Sequence, residues 1–372
     1  MTEAVPGAAP EVIFETRAAT GGFSVGFARL NRARQLNAIT LSMCEQMLRQ
    51  FREWAADEGV VAVVLEADGA KGFSAGGDVA SVVRQVWAGG AQRFVYGDSF
   101  FEVEYALDLL IHTYPKPFIS FVHGVCMGGG VGLAVGASHR IVADNCKIAM
   151  PEIHIGLFPD VGGGWFLNRL PGNIGRVMAL TGMIISEADA LFAGLADYYV
   201  PEAGRQALWA ELLAIPWVDQ PAANQASVTR LMLAVHRRHQ PELPSAGLMQ
   251  SFDALRFIAG QADLPGLLAG LQAAASEDPY FEIPAASLAN GSPTTALITD
   301  AYLRRTRQMS IAQVLALDLL MARQFQRHHD FLEGVRALLI DKDRQPRWEA
   351  RGFAEVDPQV VARHFQPLQP IR

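Results

Sequence analysis

Two acidic residues, Glu152 and Asp160, follow a cluster of glycines in the middle of the chain. Glycines occupy four of the five positions 128–132, and three more at 162–164 come shortly after Asp160. Because glycine lacks a Cβ atom, backbone N–H groups at such positions can approach a ligand closely. Backbone donors aimed at a developing oxyanion, with a carboxylate beside them, suit chemistry on an activated carbonyl group. The spacing therefore predicts a site for acid–base or nucleophilic chemistry at a carbonyl carbon.

Strands that alternate with helices are predicted to position these residues. Continuous runs of β-branched and aromatic residues at 60–65 and 118–122 are typical of strands buried on both faces. Alternation of strands with helices implies βαβ crossovers and a largely parallel sheet that is covered on both sides. We expect strands at 12–16, 23–30, 60–65, 118–122 and 140–143, and helices from a cap at Thr40 or Ser42 to about 56, at 92–112 and directly after the first glycines.

The second half of the chain is predicted to be mostly helical. Strand signals largely vanish after about residue 173, and residues 215–300 are rich in Ala, Pro and Gly, which favours short helices. Firmer helical patterns follow at 311–326 and 329–339. The sequence thus predicts an α/β core domain over residues 1–200 and a mostly helical region over 201–372.

Composition limits the classes of function. The chain has 372 residues, of which 50% are hydrophobic and 19% charged, so it can bury a sizeable core. A formal net charge of −7 argues against nucleic acid as a partner, and no apolar run reaches the roughly 20 residues of a membrane span. Cys44, Cys126 and Cys146 are far apart and odd in number, which fits reduced thiols and a cytoplasmic location. The nine histidines show no paired metal spacing, so no metal is expected.

Several segments together resemble the crotonase (enoyl-CoA hydratase/isomerase) superfamily. Each segment is weakly specific by itself, but their order and spacing are highly specific. The resemblance implies a crotonase-like ββα spiral core with parallel sheets flanked by helices, plus the C-terminal helical region. The matching segments are Leu30-Asn31-Arg32, Leu36-Asn37-Ala38, Gly72-Phe73-Ser74-Ala75-Gly76-Gly77-Asp78, His123–Gly132, Ala149-Met150-Pro151-Glu152 and Gly156-Leu157-Phe158-Pro159.

Within this superfamily the chain most resembles the 3-hydroxyisobutyryl-CoA hydrolases. The discriminating segments are 158–164, Ser292-Pro293-Thr294, His329–Arg336 and Leu339-Ile340-Asp341-Lys342-Asp343. The resemblance implies hydrolysis of a short 3-hydroxyacyl-CoA, with coenzyme A as part of the substrate, no permanently bound cofactor, and a homo-oligomer as a further expectation. It also implies an oxyanion hole formed by the N–H groups of Gly77 and Gly129. Substrate contacts are expected from Phe73, Ala75, Gly76, Gly128, Gly132 and Phe158.

The two catalytic acids are assigned by the same resemblance. Glu152 matches a glutamate used by hydratases and hydrolases alike, and Asp160 matches the second functional acid of the hydrolases. The hydratase pattern needs another acid twenty residues before Glu152, where this chain has Gly132. We therefore expect Glu152 to attack the thioester or to activate water, with Asp160 as its orienting or proton-shuttling partner. The sequence does not distinguish the covalent route from the general-base route.

Three alternative activities and several structural roles remain open. Residues 72–76 match G-x-S-x-G, which would make Ser74 a serine nucleophile, and the glycines could instead bind a dinucleotide. Hydratase or isomerase activity of the same superfamily is a third alternative. Five residues have a purely structural alternative: helix caps for Asp78 and Asp160, a hydrogen-bonded turn for His123, burial for Cys126, and an ion pair with Asp330 or Glu333 for Arg336. His154 is a weak candidate for the site.

Overall fold

A computed structural model describes residues 9–368 of the chain. The strands form two sheets, and every strand pair except the first is parallel. The larger sheet has the order β1-β2-β3-β5-β7-β9, and the smaller one has the order β4-β6-β8. The strands are β1 Val12–Ala18, β2 Ser24–Leu30, β3 Val60–Ala67, β4 Gly72–Ser74, β5 Phe118–Val122, β6 Val125–Met127, β7 His139–Val142, β8 Lys147–Ala149 and β9 Tyr198–Tyr199.

Helices cover the sheets and make up most of the second half of the chain. The α-helices are α1 Leu41–Ala56, α2 Val79–Ala88, α3 Val95–His112, α4 Gly129–Val135, α5 Gly163–Phe166, α6 Ile174–Thr181, α7 Glu187–Ala193, α8 Arg205–Leu213, α9 Pro221–His239, α10 Gly247–Gln250, α11 Phe252–Ala259, α12 Leu264–Glu277, α13 Glu282–Asn290, α14 Pro293–Thr306, α15 Ile311–Phe325, α16 His329–Val335 and α17 Pro358–Arg363. A short 3₁₀ helix spans Glu152–Ile155, and a π-helical turn spans Arg336–Ile340. Within the described part of the chain, no helix combines the length and the apolar composition needed to cross a membrane.

The central strands β3 and β5 of the larger sheet are buried on both faces, as their apolar runs predict. All eight residues of β3 are buried. Val63 and Leu65 face the core that contains α1 and α3, whereas Val64 faces the second core under α8 and α9. Alternate side chains of one strand therefore enter different hydrophobic layers, which is why β3 lacks the usual polar alternation.

Most predicted elements are present, and Thr40 is the one of the two predicted caps that begins α1. Thr40 caps α1 by accepting a hydrogen bond from the Met43 amide, so Ser42 is the second helical residue and not the cap. The expectation of only short helices over 215–300 is wrong for α9, which has 19 residues. Pro221 at its first turn lacks an N–H that the helix would leave unpaired there in any case, so this proline starts α9 and does not interrupt it. The boundary at residue 200 between core and helical region stays a prediction.

Candidate active site

A cavity of about 290 Å³ lies where the ends of the smaller sheet meet α3 and the C-terminal region. Its wall combines backbone of the two glycine turns with apolar side chains and three carboxyl groups. Leu338 and Leu339 of the π-helical turn complete the wall from the far end of the sequence. The cavity is lined by Ala75, Gly76, Gly77, Val79, Phe100, Phe101, Glu104, Met127, Gly128, Gly129, Pro151, Glu152, Ile155, Leu157, Asp160, Leu338 and Leu339.

The loop after β4 is held in position by the segment that precedes α1. The Ile39 amide donates to the Gly76 carbonyl oxygen at 2.9 Å, and the Asp78 amide donates to the Ile39 carbonyl oxygen at 2.8 Å. The buried Asn37 side chain donates to the carbonyl oxygens of Asp68 and Gly72. Because Asn37 and Ile39 bind this loop from both ends, the Gly77 amide has a fixed direction.

The amides of Gly77 and Gly129 approach each other at the cavity wall. A Cβ atom built on Gly129 would lie 3.3 Å from the nitrogen of Gly77, and one built on Gly76 would lie 3.4 Å from the nitrogen of Gly129. Within residues 9–368, neither amide donates a hydrogen bond to another backbone group. Two neighbouring N–H groups without a backbone acceptor form the kind of donor pair that stabilises a carbonyl oxygen as it gains negative charge.

Glu152 and Asp160 also line the cavity, with Glu152 close to the turn that carries Gly128 and Gly129. Both acids are about 5% exposed, and Oε1 of Glu152 lies 2.7 Å from the position that a Cβ of Gly128 would take. Gly128 has φ +52°, so a side chain there would be strained as well as obstructed. The hydroxyl of Tyr105 in α3 donates a hydrogen bond of 2.6 Å to Oδ2 of Asp160. Burial raises the pKa of Asp160 to about 6, and the Tyr105 hydrogen bond opposes that rise.

Two further acids of α3 belong to this region, and the sequence analysis missed both of them. Glu104 lines the cavity, and Asp108, four residues later, is fully buried beside it. Burial raises the pKa of Glu104 well above its ordinary value, and the charges of Asp160, Asp108 and Glu152 raise it further. Burial likewise raises the pKa of Glu152, and the charge of Asp160 adds to the rise. The site is thus rich in carboxyl groups that share protons and cannot all be ionised together.

The structure brings most of the predicted site residues together. Gly77, Gly129, Glu152 and Asp160 all line the cavity, and so do three of the six residues predicted to contact substrate, namely Ala75, Gly76 and Gly128. The other three, Phe73, Gly132 and Phe158, are buried behind the wall. A Cβ atom on Gly132 would lie 2.6 Å from Cβ of Val161 and 3.2 Å from Oδ1 of Asp108, so the space that a hydratase acid would need is filled.

Ser74 lacks the position of a nucleophile. Its side chain is fully buried, and its Oγ donates to the Asn37 carbonyl oxygen and accepts from the Gly76 amide. A nucleophile elbow instead presents its hydroxyl at the mouth of a site. Ser74 therefore stabilises the loop that carries Gly77.

The structure shows which of the structural alternatives hold for the remaining residues. Asp78 caps α2 through the Ser81 amide, His123 lies 2.7 Å from the Gly69 carbonyl oxygen, and Cys126 is buried. Asp160 is no helix cap, because Gly162 precedes α5 and the Asp160 carboxyl binds Tyr105. Arg336 pairs with Glu333 as predicted and also with Asp341 and Asp343, but not with Asp330. His154 is not among the residues that line the cavity.

The described residues contain no candidate metal site. No group of three or more His, Cys, Asp and Glu side chains within 9–368 is arranged to hold a metal ion.

Comparisons with known proteins agree with this geometry. A sequence model described as enoyl-CoA hydratase/isomerase matches residues 25–365. Over 363 residues the chain is 32% identical to the mitochondrial 3-hydroxyisobutyryl-CoA hydrolase of Homo sapiens, an alignment that covers 97% of this chain and 90% of the relative. It is 33% identical over 351 residues to 3-hydroxyisobutyryl-CoA hydrolase 1 of Arabidopsis thaliana, with 93% and 90% covered.

Two solved structures share the fold along nearly their whole length. An enoyl-CoA hydratase from Rhodobacter sphaeroides has a TM-score of 0.82 and 34% identity, with 96% of this chain and 98% of that chain covered. A carnitinyl-CoA dehydratase from Mycobacterium thermoresistibile has a TM-score of 0.82 and 31% identity, with 96% and 97% covered. These similarities confirm the predicted crotonase-like α/β fold. The chain belongs to the enoyl-CoA hydratase/isomerase family.

Proposed function

We propose that this chain hydrolyses the thioester of a short 3-hydroxyacyl-CoA, with 3-hydroxyisobutyryl-CoA as the first substrate to test. The observation that carries the proposal is the arrangement of two free amides, those of Gly77 and Gly129, in one cavity with the Glu152–Asp160 pair. The sequence relatives named 3-hydroxyisobutyryl-CoA hydrolase support the choice of substrate.

In this proposal the thioester carbonyl oxygen accepts hydrogen bonds from Gly77 and Gly129. Those two donors stabilise the charge that builds on oxygen, and losing one such donor lowers the rate by a factor on the order of 10²–10³ in other enzymes. Glu152 either attacks the carbonyl carbon to form a mixed anhydride or removes a proton from the attacking water. Asp160 orients that water and exchanges protons with Glu152. The remaining predicted substrate contacts, Ala75, Gly76 and Gly128, form the wall on either side of the amides.

Hydration of an enoyl-CoA is the second candidate, and one observation favours it. Glu104 supplies another cavity carboxyl from α3, although the hydratase acid expected at position 132 is absent. A second acid could hold water and return a proton to carbon. Incubation with crotonyl-CoA and with 3-hydroxyisobutyryl-CoA separates the two reactions, because only hydrolysis releases a free thiol.

Replacing Glu152 with Gln tests the assigned role. We expect kcat for CoA release to fall by a factor on the order of 10² or more, with binding of CoA retained, because the amide can neither attack nor accept a proton. Glu66→Gln is the matched control, since Glu66 is also buried but accepts a hydrogen bond from Trp209 outside the cavity. Undiminished turnover by Glu152→Gln would show that the role given to Glu152 is wrong.

Four finer points are part of the same proposal. With 3-hydroxyisobutyryl-CoA as its substrate, the reaction belongs to valine breakdown. The three separate buried thiols fit a reducing compartment such as the cytoplasm, although the human relative is named mitochondrial. A homo-oligomer stays an expectation of the resemblance. Residues 201–372 complete the substrate site, which the positions of Leu338 and Leu339 in the cavity wall support.

A further inference from the structure

One face of α3 carries three titratable residues that the proposed reaction steps do not use together. Glu104, Asp108 and His112 are spaced four residues apart and therefore lie above one another on the helix. Within residues 9–368, eleven buried side-chain atoms have no hydrogen-bond partner, and four of them belong to these three residues. Such atoms are concentrated here, whereas buried polar groups normally find partners.

The face of α3 packs against a row of glycines on and after α4. A Cβ atom on Gly129 would lie 2.5 Å from Oε1 of Glu104. A Cβ atom on Gly132 would lie 3.2 Å from Oδ1 of Asp108, and a Cβ atom on Gly136 would lie 2.8 Å from Cδ2 of His112. The absent side chains leave a groove along α4, and the three polar side chains of α3 occupy it.

The groove joins the catalytic acids to the edge of the molecule. Val161, the residue after Asp160, lies close to Asp108 beside Gly132. A Cβ atom built on Gly132 would lie 2.6 Å from Cβ of Val161 and 3.2 Å from Oδ1 of Asp108. At the other end the His112 side chain is partly exposed and contacts the Trp165 ring edge-on at 5.2 Å between centroids. Asp108 lies between them and is fully buried, with neither carboxyl oxygen bonded to any described residue.

Thioester hydrolysis produces a proton that must leave this buried site. The C–S bond breaks, a C–O bond to the water oxygen forms, and one water proton goes to the sulfur of CoA. The carboxylic acid product then ionises near neutral pH, so each turnover releases one proton. The cavity already contains carboxyl groups whose pKa values are raised by burial, and a further proton there hinders ionisation of Glu152 for the next turnover.

Resting on the proposed hydrolysis, we propose that Asp108 and His112 form a proton path along the glycine groove, from Asp160 through Asp108 to His112 and the solvent. Residues one helical turn apart have Cβ atoms about 5–6 Å from each other, a gap that one water molecule spans when both groups have free polar atoms. Asp108 and His112 act on the reaction through Asp160 and do not touch the substrate.

The charges around the path are compatible with this role. The ionisable groups that interact with Asp108 include Glu104 on α3, Asp160 beside the cavity, Asp318 on α15 and Cys44 on α1. Burial raises the pKa of Asp108 well above its usual value, and the charges of Asp160 and Asp318 raise it further, so both effects favour its protonated form. Burial, with Arg140 nearby, lowers the pKa of His112 to about 4, so its imidazole is neutral in the resting protein and holds a proton only transiently on its way to solvent.

The test uses Asp108→Asn and His112→Ala in the full chain, with CoA release from 3-hydroxyisobutyryl-CoA as the readout. We expect kcat to fall by about tenfold or more in both variants with KM unchanged, because proton transfer contributes factors on the order of 10²–10⁴ when it limits a step. The solvent deuterium isotope effect on kcat should increase. Added imidazole should restore part of kcat in His112→Ala, where the partly exposed ring leaves room, but not in Asp108→Asn, which is fully buried.

His139→Ala is the control for imidazole rescue, because His139 is a buried histidine that binds Thr229 away from the cavity. Wild-type kcat and isotope effects in both path variants would overturn the proton path, and so would a loss of kcat that imidazole leaves unchanged in His112→Ala. Failure of the wild-type protein to release CoA would instead overturn hydrolysis itself. If Asp108→Asn unfolds, rescue of His112→Ala by imidazole decides the proposal by itself.

Discussion

The hydrogen bond from Tyr105 to Asp160 sets how Asp160 and Glu152, the proposed catalytic pair, share protons. Asp160 has a pKa of about 6 because burial raises it and Tyr105 limits the rise. The charge of Asp160 in turn raises the pKa of Glu152. Since the two carboxyl groups interact, the acidic limb of the pH–rate profile reports an apparent pKa of the pair.

Tyr105→Phe and Asp160→Asn should move that acidic limb in opposite directions. Loss of the Tyr105 hydroxyl removes the interaction that lowers the pKa of Asp160, so the limb should move to higher pH. Loss of the Asp160 charge lets Glu152 ionise more easily, so the limb should move to lower pH with a smaller kcat. The measurement is kcat/KM for CoA release across pH.

Tyr114→Phe provides the matched control, because the Tyr114 hydroxyl donates to the Phe51 carbonyl oxygen away from the cavity. Its pH profile should match the wild type. Movement of both site variants in the same direction would contradict the assigned coupling.

The sequence predicts Glu152 and Asp160 as site residues, and both line the cavity, but it does not predict the acids of α3. Glu152 and Asp160 lie in glycine-rich motifs whose order is specific, so they could be placed without a structure. Glu104 and Asp108 are two acids four residues apart on a helix, a spacing that is common on solvated helix faces. Only the packing of α3 against Gly129 and Gly132 shows that this face is buried.

At the scale of elements, α16 supports the 3₁₀ helix that carries Glu152. A Cβ atom on Gly334 would lie 2.4 Å from the carbonyl carbon of Ile155, so the two backbones are in direct contact. Asp330 at the start of α16 accepts hydrogen bonds from Ser292 at 2.6 Å and from the Glu349 amide at 2.8 Å. The C-terminal motifs that distinguish this chain thus pack against the segment that carries Glu152 and support it.

Gly334→Ala should damage both stability and catalysis. The added methyl group would meet backbone atoms of Ile155, which cannot move aside as a side chain can, and overpacking of this kind typically costs about 1–3 kcal/mol. We expect a lower Tm and a lower kcat, because relief of the clash displaces Glu152. Gly352→Ala is the control, since no atom lies within 4 Å of its Cβ position. Equal behaviour of the two variants would show that α16 does not position the site.

Element prediction succeeded where residue patterns are local and failed where packing decides. The strand at 118–122 was predicted to the residue, because its apolar run is continuous and bounded by Pro117 and His123. The length of α9 was missed because its many Ala and polar residues give little periodic signal. The π-helical turn that brings Leu338 and Leu339 to the cavity has no recognisable sequence signal.

At the scale of the whole molecule, the buried carboxyl groups make folding stability depend on pH. Burial raises the pKa values of Glu104, Asp108, Glu152 and Asp318 well above their ordinary values. An acid whose pKa is higher in the folded than in the unfolded state stabilises the fold fully below its unfolded pKa of about 4. That contribution is lost as pH rises toward the folded pKa, so these acids should weaken the fold in mildly alkaline solution.

Asp318→Asn should make the pH dependence of stability less steep. Asp318 accepts hydrogen bonds from the Tyr302 hydroxyl at 2.5 Å and from the Gly162 amide at 2.9 Å, and the asparagine oxygen can still accept from one of them. Each acid that stays protonated in the folded state lowers the free energy of unfolding by up to about 1.4 kcal/mol per pH unit between its two pKa values. Urea unfolding at a series of pH values from about 5 to 8 measures this slope, and the variant should lose one such increment.

Asp343→Asn should leave the slope in that range unchanged, because Arg336 lowers the pKa of Asp343 and keeps it ionised throughout. Parallel curves for the wild type and Asp318→Asn would mean that Asp318 ionises in the folded protein, and the buried charge would then be compensated by Tyr302 and Gly162 alone.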